Sequence, residues 1–201
     1  MSGGALPLST MLPSSVSLGS VQPTRVSVSH SMKRQARTGN AQRWGITLGW
    51  ESAPRVVYSK FYAFLLGQRG QADTFTTTLP GSTAPQGTWA GTPVVAGAAQ
   101  TGRVVNLSGF TANQANAVRA GDLMQFAGST KVYMATADAA SSGTGTASVS
   151  IEPALVVSPA NLAAVTVNNV TFTVALSSDT LASNLGIGDN YSWSITMVEV
   201  Y

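Results

Sequence analysis

Cysteine is missing from all 201 residues, histidine occurs once, at His30, and Asp and Glu together number eight. Without cysteine there is no disulfide framework and no thiol nucleophile. A lone histidine and a thin scatter of carboxylates leave little for acid/base catalysis, covalent catalysis or metal ligation. Charged residues make up only 9% of the chain, against about 25% in an average soluble domain. Such a surface is weakly solvated and suits burial against partners. The expectation is a building block that is not an enzyme and carries no cofactor.

The few charges are unevenly placed. Residues 1–103 carry nine Lys/Arg and two Asp/Glu, a net of +7, whereas residues 104–201 carry two and six, a net of −4. A basic half and an acidic half in one protomer can meet head to tail across a subunit interface, the arrangement that closes heterologous rings. Chance clustering is the simpler account of the same numbers. The stretch from Met1 to Thr24 has no charge and is interrupted by Pro7, Pro13 and Pro23. It lacks the basic segment and apolar run of a secretory signal, and residues 1–22 read as a flexible Ser/Gly/Pro arm. The uncharged stretch Pro153 to Ser178 is broken by Pro159, Asn161, Asn168 and Asn169, which argues for a buried strand and against a membrane span.

Strict alternation sets Trp44, Ile46, Leu48 and Trp50 on one face of a strand, with Gly45, Thr47 and Gly49 on the other. Ser52, Ala53 and Pro54 then open a helix over 54–69 with Ser52 as its cap, because Pro is tolerated in a first turn. Val57, Phe61, Phe64 and Leu65 give that helix an apolar side. Phe75, Thr77 and Leu79 alternate in a further strand. From Thr92 onward, short strands are divided by glycine: Pro93 to Ala96, Arg103 to Leu107, Leu123 to Phe126, Lys131 to Thr136 and Ala147 to Glu152. Their spacing is that of hairpins in a small antiparallel barrel or sandwich, with Gln114 to Arg119 as a candidate helical turn. Val170 to Leu176 and Tyr191 to Met197, both of period two, return the chain to its first layer.

The fold class expected is therefore all-β with one short flanking helix, a β-sandwich with an inserted small antiparallel barrel or sandwich. Residues 23–90 and 160–201 would form a discontinuous sandwich and residues 91–159 the β-rich insertion. An uninterrupted all-β domain is the alternative.

Arg25, Lys33, Arg34, Arg37 and Arg43 form the one basic concentration, with His30 inside it. Phosphate neutralisation is one use for it, but no Phe, Tyr or Trp lies between Arg25 and Arg43, which disfavours base stacking. A solvated loop or a subunit contact, the latter through Arg34 and Arg37, is the preferred reading and nucleic acid the lesser one. Tyr58, Phe61, Tyr62 and Phe64 cover more of the helix than one core face needs, so either Tyr58 and Tyr62 point out to a partner, the favoured reading, or the helix is covered on two sides by sheet and neighbour. Asp122 and Asp138 read as turn residues whose carboxylates bond local amides. Asp179, Asn184, Asp189 and Asn190 lack the density of a calcium loop.

Several runs resemble tailed-phage distal tail or tail-hub proteins: Arg43-Trp44 to Trp50-Glu51, Lys60 to Leu65, Gly67 to Gly70, Leu79-Pro80, Val95 to Gly102, Ala120-Gly121-Asp122, Lys131-Val132-Tyr133 and Gly143 to Pro153. The resemblance spans residues 43–200. It implies a β-sandwich with a flanking helix, closed into a ring of about six protomers at the tail tip, joining the tail tube to baseplate or fibre proteins. That would place the chain in the virion, assembled in the host cytoplasm. Two other readings remain: a capsid-type coat protein whose basic arm binds nucleic acid, and a glycan-binding β-sandwich using Trp89, Trp193 or Tyr201.

Overall fold

The structure, a computed structural model, describes residues 3–39 and 41–201. Along them run β1 (Ser15–Val21), β2 (Thr24–Val28), β3 (Arg34–Thr38), β4 (Arg43–Pro54), α1 (Arg55–Gly67), β5 (Phe75–Thr78) and β6 (Gly91–Val95). There follow β7 (Val104–Phe110), β8 (Leu123–Phe126), β9 (Val132–Ala135), β10 (Ala147–Glu152) and β11 (Val165–Thr166), and finally β12 (Thr171–Leu176), β13 (Ser183–Leu185) and β14 (Asn190–Glu199). The protein is nearly all β, with one helix among the described residues.

One antiparallel sheet has the order β1-β4-β14-β12-β5, with β13 also paired to β14. Its strands come from both ends of the chain. The registers Trp50 opposite Trp193, Leu48 opposite Ile195 and Ile46 opposite Met197 put these side chains on one face, where all are buried. Helix α1 lies over this face through Tyr58, Phe61 and Leu65, spaced three and four apart so that they share one side. Trp50 stacks on Trp193 with ring centroids 5.0 Å apart and meets Phe61 at 4.9 Å. The other face is formed by Gly45, Thr47 and Gly49 of β4 and Ser194 and Thr196 of β14, with Arg43 at one end of β4 and Glu51 toward the other.

A second sheet, in the order β11-β8-β9-β10-β7-β6, is made from the chain between these strands. It nearly closes into a barrel: Val95 N–H donates to Ala163 O at 3.0 Å, Leu162 N–H donates to Val95 O at 2.9 Å, and Val94 bridges to Ala164. Val105, Leu107, Met124, Phe126, Tyr133, Val149 and Ile151 fill its interior.

The structure corrects four local expectations. Residues 15–21 are not a free arm: β1 pairs with β4 along its whole length, and Leu6 is buried while Leu8 and Met11 pack against the first core. Leu6 N–H donates to Thr76 O at 2.8 Å, and Thr76 N–H donates to Gly4 O at 3.0 Å, so the N-terminal segment covers the outer edge of β5. The apolar residues among the serines supply the burial that a free arm would forgo. Ser52 does not cap α1, because it still lies in β4, where its hydroxyl donates to Asn190 Oδ1 at 3.2 Å; the cap position is Pro54. Gln114 to Arg119 form turns and a bridge from Val118 to Ala139 in place of a helical turn. Residues 24–38 leave both sheets and form a hairpin of their own. Past the helix, Arg69 and Gly70 both take positive φ. Gly70 suits that bend, since any side chain is strained at its left-handed φ and a Cβ would come 2.6 Å from Asp179 Oδ1.

Candidate functional site

Four of the chain's eleven cations gather on the hairpin of β2 and β3 and its turn: Arg25, Lys33, Arg34 and Arg37. Every residue of both strands is exposed. Arg25 stands directly opposite Arg37 and Ser27 opposite Gln35, which makes one face cationic and polar. Val26 opposite Ala36 and Val28 opposite Arg34 make the other largely apolar. Like charges directly across a strand pair are destabilising, and a two-stranded hairpin is at best marginally stable alone. None of these four cations forms a salt bridge among the described residues. The base of the hairpin is tied by Gly39 N–H to Pro23 O at 3.2 Å and by Gln22 Nε2 to Glu152 Oε1 at 2.6 Å. An open groove of about 400 Å³ there is lined by Arg25, Arg37, Thr24 and Thr38.

Arg34 and Arg37, expected at an interface, are thus brought together on one exposed element. The two tyrosines are not. Tyr58 is only 8% exposed, and its ring stacks on Tyr191 at 4.8 Å and on Tyr62 at 5.4 Å. Its hydroxyl is 2.7 Å from that of Ser183. The aromatic crowding that suggested an outward face is instead absorbed by Trp50, Tyr191 and Trp193. Tyr62 is half-buried against the same cluster. The outward side of α1 carries Val56, Lys60, Ala63 and Leu66.

The two sheets meet at a buried ionic joint that pattern reading missed. Lys131, 1% exposed, reaches from just before β9 to Glu199, 0% exposed, at the end of β14. Its Nζ also donates to Gln42 O and Gln42 Oε1, each at 2.9 Å, so all three ammonium protons have acceptors. Glu199 accepts further from Val132 N–H at 2.9 Å and Trp44 N–H at 3.2 Å, and Trp44 Nε1 donates to Val132 O at 2.8 Å. The Tyr201 ring lies 4.3 Å from Lys131 Nζ, within cation–π range. Burial pushes the Lys131 ammonium below its ordinary value, against the pull of Glu199. A signal for the joint existed: Glu199 continues the inward phase of Trp193, Ile195 and Met197.

Asp122 carries a second knot, accepting from Gln86 N, Gly87 N, Trp89 Nε1 and Arg119 N. Asp138 accepts from Ala120 N–H at 2.8 Å and from Arg119. Asp122 bonds the local amide of Arg119 as expected and reaches well beyond its own turn, whereas Asp138 bonds no local amide and instead holds Ala120 and Arg119, 18 and 19 residues away. His30 sits exposed in the hairpin turn. Among the described residues no group of three or more His, Asp or Glu side chains could hold a metal ion, and no helix is long and apolar enough to cross a membrane. The arrangement offers contact surfaces, a cationic hairpin and a mostly uncharged sheet face that carries Glu51.

A family model described as the B domain of distal tail protein pb9 matches residues 82–170. That range takes in β6 to β11, the near-closed barrel, and it bears out the resemblance to phage distal tail proteins. No curated protein matches the chain.

Proposed function

We propose that this chain, whose residues 82–170 match a domain of a phage distal tail protein, is a non-enzymatic structural component of the virion tail. In this reading it is a ring-forming hub or adaptor that joins the tail tube to baseplate or fibre proteins, assembled in the host cytoplasm. The domain match is the observation that carries the reading. The first sheet supports it, since the outer edge of β1 is an unpaired, uncharged seven-residue strand among the described residues, and such edges pair with other chains unless protected.

The two parts would divide the work. Residues 23–90 and 160–201, joined by the β1 segment, build the ring, and the barrel inserted between them faces the neighbouring tail proteins. Arg34 and Arg37 of the hairpin and Tyr62 at the rim of the helix lie at protomer contacts, and Tyr58 acts behind Tyr62 as packing. Mechanism is geometric, with no cofactor: shape, edge strands and charge fix a rotation between copies, and the rotation closes. Size-exclusion chromatography with light scattering, followed by negative-stain imaging, tests it. A discrete ring of about six copies is expected; a chain that remains monomeric both alone and with its tail tube protein overturns the reading.

A further inference from the structure

We propose that the cationic face of the β2–β3 hairpin in one copy docks in a carboxylate-bearing groove on the first sheet of a second copy, linking protomers head to tail. This rests on the ring reading and adds which surfaces meet. The receiving groove, about 470 Å³, lies where β1, β4, β13 and β14 come together. Ser15, Gly49, Asn184, Ser192 and Ser194 line it, and Glu51 is its one charged residue. Glu51 is exposed and has no salt bridge among the described residues, and so is Asp189 at the turn leading into β14.

Geometry keeps these charges from meeting within one copy. The hairpin leaves the first sheet at the Arg43 end of β4, and Glu51 stands toward the opposite end, near Asn190 opposite Pro54. From Arg43 to Glu51 the strand spans roughly 26 Å at about 3.3 Å per residue, well beyond the roughly 10 Å over which exposed charges feel each other at ordinary salt. A hairpin with Arg25 facing Arg37 and no internal carboxylate needs an anion from outside. Two arginines with Ser27 and Gln35 match a groove of hydroxyls and an amide around one carboxylate.

The make-up of the same hairpin favours protein over nucleic acid. No Phe, Tyr or Trp lies between Arg25 and Arg43 to stack on a base, and the hairpin exposes Val26, Val28 and Met32 beside its cations. A second copy is the partner of this chemistry, since identical chains supply both the cationic end and the acidic end.

Charge reversal in both surfaces tests the docking. Arg25→Glu/Arg37→Glu and Glu51→Arg/Asp189→Arg should each weaken assembly by about tenfold or more, with circular dichroism and melting temperature unchanged. Mixing the two variants should restore rings, because each then supplies what the other lacks. The neutral pair Arg25→Gln/Arg37→Gln should weaken assembly and flatten its salt dependence, which separates lost docking from misfolding. Wild-type rings that survive both reversals overturn the docking alone, whereas a wild-type chain that never assembles removes the ring reading with it. Loss of double-stranded oligonucleotide binding in the arginine variants, with rings intact, would assign the hairpin to nucleic acid and overturn the proposal.

Discussion

Lys131 and Glu199 form a buried pair in which each charge is compensated by the other. Removing either partner leaves a charge without compensation in the interior, which costs about 3–5 kcal/mol. Lys131→Met should therefore begin to unfold at lower urea and with a shallower apparent slope than wild type, because the two parts no longer open together; an unchanged urea curve would mean that the joint does not hold the sheets. Trp193 is the opposite case. Its Nε1 is buried without an acceptor among the described residues, and an unmade bond of that kind costs about 1–3 kcal/mol. Trp193→Phe should accordingly stay within about 1 kcal/mol of wild type, the lost indole packing being offset by relief of the unpaired N–H. Trp50→Ala, which removes a ring packed on both Phe61 and Trp193, should cost about 3–5 kcal/mol. Tyr133 adds a dependence on pH. Burial raises its phenol above the ordinary value of 10.0, so the folded chain keeps the proton longer than the unfolded one. The stability it contributes is present below that value and is lost as pH rises through the folded one. Melting curves above about pH 10 should fall less steeply for Tyr133→Phe than for wild type.

At the scale of elements, two N-terminal segments of different composition, one uncharged and one basic, do different work. Deleting residues 1–14 removes Leu6, Leu8 and Met11 from the core and uncovers the edge of β5, so the truncated chain should lose stability and aggregate through that edge. Replacing residues 24–38 by a short turn touches only exposed strand residues and should leave the melting temperature unchanged while assembly is lost. The opposite pattern would make the hairpin part of the fold. Strand β4 was legible because Trp44, Ile46, Leu48 and Trp50 alternate without interruption, β8 because Gly121 and Gly128 bracket it, and β10 because a glycine turn precedes it and Pro153 follows. Strand β1 was not, since serine and glycine dilute Val16 and Leu18 below the pattern of a buried strand. Thr24, Val26 and Val28 do alternate, but cations around them read as a solvated loop. Tyr58 misled for a physical reason: on a helix, crowded aromatics look like surplus until a strand such as β14 brings Tyr191 and Trp193 against them. The Lys131–Glu199 contact spans 68 residues of sequence, and no local pattern says that two inward-phased charges will meet.

For the whole molecule, the question is whether the sheet and the barrel behave as one body. The first core holds residues from both: Leu123 and Val132 of the barrel's strands pack with Trp44, Phe172 and Met197 of the first sheet. The barrel keeps a separate interior around Phe126 and Tyr133. Between them lies the ionic joint, where Trp44, Gln42 and Glu199 on one side are bonded to Lys131 and Val132 on the other. If either part opened alone, Lys131 and Glu199 would be separated, and the desolvation already incurred would lose its compensation. Calorimetry of the wild type should therefore give a single transition whose van't Hoff and calorimetric enthalpies agree. Lys131→Met cuts the coupling and should split that transition in two. Two transitions in the wild type would show instead that the joint is too weak to unite the parts.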